Sequence, residues 1–138
     1  MTSEPGLTSI LRQGCYLIAS IHTALDDSQL TRFQDDLMGE IGRHRSRAVI
    51  IDVATLDVLD SFGSKTLLDI VKMARMQGAL PVVVGIQPDV AHAMVTLGMG
   101  SRTIRAALDL DEALVYLDGQ VQSKIGVRGS GSGVVVRS

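Results

Sequence analysis

One short segment concentrates the side chains that could do chemistry: Asp57-Val58-Leu59-Asp60-Ser61-Phe62-Gly63-Ser64. It follows the most apolar run in the chain and opens a helical pattern. In open α/β sheets the crevice beyond the strand C-termini is where function resides, and this segment falls there. Two chemistries suit an Asp-Ser pair at a helix start. The first is capping, in which side-chain oxygens accept from the free amides of the first turn. The second is phosphoryl acceptance, because a phosphate on Ser61 would meet the same amides and the positive end of the helix dipole. Residue types alone leave both open. Asp52 and Asp57 read most simply as capping and loop acids. Thr55, Ser64 and Thr66 are nearby hydroxyls in weaker positions.

Elsewhere the usual constellations are missing. His22, His44 and His92 are far apart and lack metal-ligand spacing. There is no Gly-x-Gly-x-x-Gly and no Gly-Lys-Ser/Thr phosphate loop. Gly98-Met99-Gly100-Ser101 reads as a turn. No nucleophile stands beside a candidate base. The sequence therefore predicts a protein without catalytic activity, metal or cofactor.

The elements that must position Ser61 follow from composition and pattern. The chain has 138 residues, 46% of them apolar and 20% charged, enough for one domain around one core. With no Trp, two Tyr and two Phe, that core must be aliphatic. The net charge is −2 and the cations are scattered. The nearest cluster, Arg43-His44-Arg45-Arg47, closes a helix, where cations complement the dipole. A nucleic-acid partner is not expected. The single cysteine, Cys15, excludes an internal disulfide and is expected to be a buried, inert thiol. Met1-Thr2-Ser3-Glu4-Pro5 has neither a basic nor an apolar leader region, and no apolar run reaches the ~20 residues of a membrane helix. A cytoplasmic location is expected, with no membrane contact.

After a loose lead over residues 1–7, Ser9–Arg12 and Tyr16–Ile21 read as a hairpin turning at Gln13-Gly14. Asp26, Asp27 and Ser28 offer the start of a helix whose apolar stripe is Leu30, Phe33, Leu37 and Ile41. Ala48–Val53 lacks alternation and reads as a strand covered on both faces. A helix from Ser61 buries Leu67, Ile70, Val71 and Ala74 and ends at Gly78. Val82–Ile86 is the next buried strand. Pro88 opens a helix with Val90, Met94 and Leu97 inward and Gly98 as its cap. Arg102–Arg105 reads as a weak edge strand. Asp109, with Glu112 three residues on, starts a last helix that buries Leu110, Leu114 and Leu117 and stops at Gly119. Residues 119–138 read as a flexible Gly/Ser-containing tail. The order β-β-α-β-α-β-α-β-α predicts an α/β fold: a mostly parallel, mixed sheet of four to five strands, an N-terminal hairpin and about four helices.

With these elements placed, the chain resembles a known family. Asp57–Gly63, preceded by Val49-Ile50-Ile51-Asp52 and followed by Gly85-Ile86-Gln87-Pro88 and a helix ending in Leu97-Gly98, resembles the STAS family of anti-sigma factor antagonists. The resemblance covers about residues 8–118. Within the family it looks most like the RsbS type of stressosome scaffold, a bare STAS domain with one phosphorylated serine in an Asp-Ser-Phe context. Ser61 occupies that position. The RsbR type carries a sensory domain and two threonine sites; here the first is Ser61 and the second falls at Pro81, which has no hydroxyl. The chain's length also leaves no room for a sensory domain.

The resemblance implies a non-enzymatic antagonist. It would hold an RsbT-type serine kinase in a large complex with RsbR-type co-antagonists, as a homo- or hetero-oligomer. Phosphorylation of Ser61 would release the kinase, and an RsbX-type phosphatase would reset it. Asp57, Asp60, Phe62, Gly63 and Lys65 would line the partner surface. Two alternatives remain: a free SpoIIAA-type antagonist and a small-ligand or lipid-binding STAS module. The second needs an apolar cavity, of which the aliphatic core gives no sign.

Overall fold

The computed structural model describes residues 7–56, 60–96, 98 and 104–128. Strands β1 (Thr8–Gln13) and β2 (Tyr16–Ile21) are followed by α1 (Asp27–His44), β3 (Ala48–Asp52), α2 (Ser61–Met76), β4 (Leu80–Val84), α3 (Pro88–Thr96), β5 (Ala106–Ala107) and α4 (Leu110–Arg128). The five strands form one mixed sheet in the order β1-β2-β3-β4-β5. β1 and β2 are antiparallel, and every later pair is parallel. The expected fold class and element order are observed.

The continuous apolar strands are explained by cover on both faces. Val49, Ile51 and Val83 point into the larger core with Leu37, Ile41, Ile70 and Val71 of α1 and α2. Ala48, Ile50, Val82 and Val84 point the other way, onto Ala113 and Leu117 of α4. The α1 stripe is the expected one: Leu30, Phe33, Leu37 and Ile41 are its buried residues. Asp26 caps that helix, and Gln29 completes a capping box with it. On the α4 side the Tyr16 hydroxyl donates to Asp118 Oδ1 at 2.7 Å. Burial, reinforced by that bond, pushes the Tyr16 phenol well above its ordinary pKa.

Several boundaries differ from expectation. The hairpin turns at Gly14-Cys15, because Gln13 pairs with Tyr16 and Gly14 takes φ +63. Cys15 is therefore exposed at the turn and not a buried thiol. β4 begins two residues early, at Leu80, and so includes Pro81. The Leu80 amide donates toward β3 (2.9 Å to Arg47 O) and the Val83 amide toward β5 (2.9 Å to Arg105 O). Alternation thus aims the Pro81 nitrogen at the β5 side, and β5 pairs only with Val83 and Val84. A missing N–H costs nothing there.

The edge strand lies at Ala106–Ala107 and not at 102–105, with Arg105 contributing only its carbonyl. Arg102 and Thr103 lie outside the described residues. α4 does not stop at Gly119 but runs to Arg128, so a tail beginning at 119 is corrected to that extent. A helical glycine costs about 1 kcal/mol relative to alanine and does not by itself end a helix. Positive φ does, as at Gly78 and Gly98, with φ +88 and +86. Among the described side chains of α4, Leu117 and Ala113 are buried, Leu114 is half-buried and Leu110 is exposed. Residues 129–138, Leu97 and most of the 1–7 lead lie outside the described residues.

Candidate functional site

The site lies at the C-terminal end of the parallel strands, where α1 and α2 both begin. It is built outward from β3. The Asp52 carboxylate accepts from the Ala54 amide at 2.9 Å, and Leu56 N donates to Val53 O at 2.9 Å, closing a turn. That turn is held from both sides. Thr55 Oγ1 donates to Ile21 O, at the end of β2, at 2.6 Å. Gln87 Nε2, just past β4, donates to Ala54 O at 2.6 Å. Gly85 lets the two segments approach: its φ is +80, and a Cβ there would stand 2.7 Å from Ala54 Cβ. Leu56 then inserts into the main core.

Asp57 lies outside the described residues, so its expected place on the partner surface has no structural account. Asp60 is the N-cap of α2, with extended backbone (φ −81, ψ −176). Its Oδ1 accepts from Gly63 N at 2.7 Å, and its carbonyl accepts from Ser64 N at 2.9 Å. Capping thus falls to Asp60, which leaves the Ser61 hydroxyl free of that duty. Ser61 is the first helical residue and is exposed. Phe62 beside it is 39% exposed, a large apolar ring at the surface. Lys65 is exposed, with Nζ 3.3 Å from Asp69. Gly63 is buried.

The neighbouring hydroxyls are placed differently. Ser64 and Thr66 are buried, and Thr55 is tied to Ile21 O. Ser64 Oγ is buried without a hydrogen-bond partner. The structure therefore brings Asp60, Ser61, Phe62 and Lys65 to one exposed helix start and turns Ser64 and Thr66 inward.

A cleft of about 180 Å³ adjoins Asp60 and Gly63. Its walls are Ile21, Ala24, Leu25, Leu30 and Leu56. The sequence gives no sign of it, because its walls come from the end of β2, the loop before α1, α1 itself and the loop after β3. No local periodicity joins those segments. Chemically the site can present one hydroxyl beside helix amides and an apolar surround. Among the described residues, no three His, Cys, Asp or Glu side chains are grouped to hold a metal. No described helix is long and apolar enough to cross a membrane.

Known proteins share this fold. A serine-to-glutamate form of RsbS from Moorella thermoacetica superposes with a TM-score of 0.76 at 29% identity, over 83% of this chain and 97% of that one. A chain from the molecular architecture of the stressosome gives 0.70 at 26% identity, over 82% and 98%. The RsbT co-antagonist protein RsbRA of Bacillus subtilis is 28% identical over 75 residues. That match spans 54% of this chain but only 27% of RsbRA, about a quarter of its length. The murine anion transporter Slc26a9, at 14% identity and a TM-score of 0.66, shares the fold alone. The STAS domain family matches residues 9–113. With most of its length matched and its five-stranded sheet arranged as described, this chain belongs to the STAS domain family.

Proposed function

We propose that this protein is a non-enzymatic, RsbS-like stressosome scaffold and anti-sigma factor antagonist of the cytoplasm, switched by phosphorylation of Ser61. The observation that carries this reading is the exposed Ser61 hydroxyl at the start of α2, beside a cap that Asp60 alone supplies. It occurs on a chain similar to RsbS over nearly all of that protein's compared length. In the plain state the chain holds an RsbT-type serine kinase within a large complex that includes RsbR-type STAS co-antagonists. The kinase transfers a phosphoryl group to Ser61 and leaves. An RsbX-type phosphatase restores the hydroxyl.

The surface around Ser61 suits a protein partner. Phe62 offers an exposed ring, while Asp60 and Lys65 offer charges of opposite sign. The adjoining cleft, at about 180 Å³, is smaller than small-molecule pockets, which run from ~300 to ~1,000 Å³. It fits one apolar side chain of a partner better than a lipid. Release follows from electrostatics. Phosphorylation adds about −1.5 to −2 charge, and burying that against an apolar contact without a cation costs several kcal/mol.

The test is phosphopeptide mapping after incubation with an RsbT-type kinase and ATP. Phosphate on Ser61, absent from Ser61→Ala, supports the proposal. Equal labelling of Ser61→Ala overturns it.

A further inference from the structure

The outer face of α2 carries a row of polar groups that begins at Ser61. Ser61, Lys65 and Asp69 follow one another at helical-turn spacing, and Lys72 stands about a turn further on. Ser61, Lys65 and Lys72 are exposed, and Asp69 is half-buried. In the plain chain the lysine is turned away from the serine: Lys65 Nζ lies 3.3 Å from Asp69 Oδ2. Its side chain is 74% exposed and free to swing. Among the described residues of α2, Lys65 is the only cation within a turn of Ser61. The first turn of the helix holds no acid to compete for it, and Asp60 Oδ1 already accepts from the Gly63 amide. The cleft beside Asp60 and Gly63 adds no other charge, since its remaining walls, from β2, α1 and the intervening loops, are aliphatic.

A phosphoryl group on Ser61 changes which partner suits Lys65. Two effects favour the phosphate over the Asp69 carboxylate. The first is charge, about −1.5 to −2 against a single negative charge. The second is helix geometry. Side chains lean toward the helix N-terminus, and an anion one turn N-terminal to a lysine pairs better than the reverse order. Phosphorylated Ser61 and Lys65 have the better order; Lys65 and Asp69 have the poorer one. Asp69 is then available to Lys72, which has no ion pair among the described residues.

We propose that Lys65 is the counter-ion of phosphorylated Ser61, drawn from Asp69 when the phosphoryl group arrives, so that ion pairing on this face moves one turn toward the helix start. The inference rests on Ser61 being the residue modified. One surface pair replaces another, so stability barely changes. The net charge of the face still falls by the full charge of the phosphate, which leaves the electrostatic cause of kinase release intact. Lys65 adds orientation and protonation state. It holds the phosphate along the helix and favours the dianion, the form with the most charge to expel a partner.

Entering phosphoserine at position 61 during translation makes the test independent of any kinase. Phosphorus NMR then follows the second ionisation of the phosphate, ordinarily near pH 6. Lys65→Gln should raise that pKa by about 0.2–0.4, the worth of a helical ion pair one turn apart, because a nearby cation favours the dianion. Asp69→Asn should lower it, by releasing Lys65 from its competitor. In the Lys65→Gln background Asp69→Asn should have no effect, since Asp69 itself lies about 12 Å along the helix, beyond the ~8 Å screening length. A titration unmoved by Lys65→Gln, or an Asp69→Asn effect equal in both backgrounds, would overturn the proposal. Failure of the phosphorylation reading shows separately, as equal kinase labelling of the plain chain and Ser61→Ala.

Discussion

Gln87 and Ala54 are joined by a 2.6 Å hydrogen bond, from the Gln87 side-chain amide to the Ala54 carbonyl. It ties the segment after β4 to the loop that leads from β3 toward Ser61. Thr55 ties the same loop to the end of β2. The position of the Ser61 helix is therefore set by two neighbouring strands as well as by its own segment.

Gly85 should be the least replaceable residue of this anchor. Gly85→Ala puts a side chain at φ +80 and a Cβ 2.7 Å from Ala54 Cβ. A non-glycine residue in that backbone region costs about 1–3 kcal/mol, and the overpacking adds a similar amount. Urea unfolding should show a loss on the order of 2–5 kcal/mol. Gln87→Ala removes one hydrogen bond, worth about 1 kcal/mol, and should slow Ser61 phosphorylation more than it lowers stability.

Asp60 and Asn should be interchangeable as caps, whereas Asp60→Ala should cost about 1 kcal/mol, within a range of ~0.5–2. The comparison also separates capping from charge. If the Asp60 carboxylate contributes to kinase binding, Asp60→Asn keeps the melting temperature and loses affinity. A melting temperature equal in all three proteins would remove the capping role.

Tyr16 predicts a pH dependence on the alkaline side. Its pKa is raised in the fold by burial and by the Asp118 bond, so the fold favours the neutral phenol. The sign follows by linkage: this contribution is complete below about pH 10, the unfolded value, and is lost as pH climbs toward the folded pKa. Tyr16→Phe should cost about 1–3 kcal/mol near neutrality, as a bond to a charged group is lost. It should also flatten the decline above pH 10 that this group causes. Denaturant titrations across that range read both effects.

Much of this scaffold is legible in the sequence, for identifiable reasons. Leu30, Phe33, Leu37 and Ile41 mark α1 because a helix buried on one face repeats its apolar positions. Ala48–Ile51 mark a central strand because cover on both faces removes alternation. The β4 boundary is not legible, since Pro81 argues against a strand until the short reach of β5 is known. The end of α4 is hidden by Gly119, whose effect depends on a φ that sequence does not state. Exposure of Cys15 turns on a one-residue difference in the hairpin. At the site, the helix start at Ser61 and the cap at Asp60 follow from local pattern. The anchors Thr55 and Gln87 and the cleft beside Asp60 do not, because each is a contact between distant segments.

Phosphorylation itself should leave folding nearly unchanged. A negative charge at a helix N-terminus gains about 0.3–1 kcal/mol. Repulsion from the exposed Asp60 carboxylate offsets it, at about 1 kcal/mol for unit charges ~4 Å apart in water. Thermal melts of the plain and phosphorylated chains should nearly coincide. At a partner interface no such cancellation operates, because water is excluded there.

Titration of an RsbT-type kinase against plain and Ser61-phosphorylated protein is therefore the most direct measurement. Phosphorylation should weaken binding by tenfold or more, each ~1.4 kcal/mol of desolvation counting as one factor of ten. Ser61→Ala should bind like the plain form, and Ser61→Asp, with about half the charge, should fall between. Equal affinity of the plain and phosphorylated forms would contradict the account.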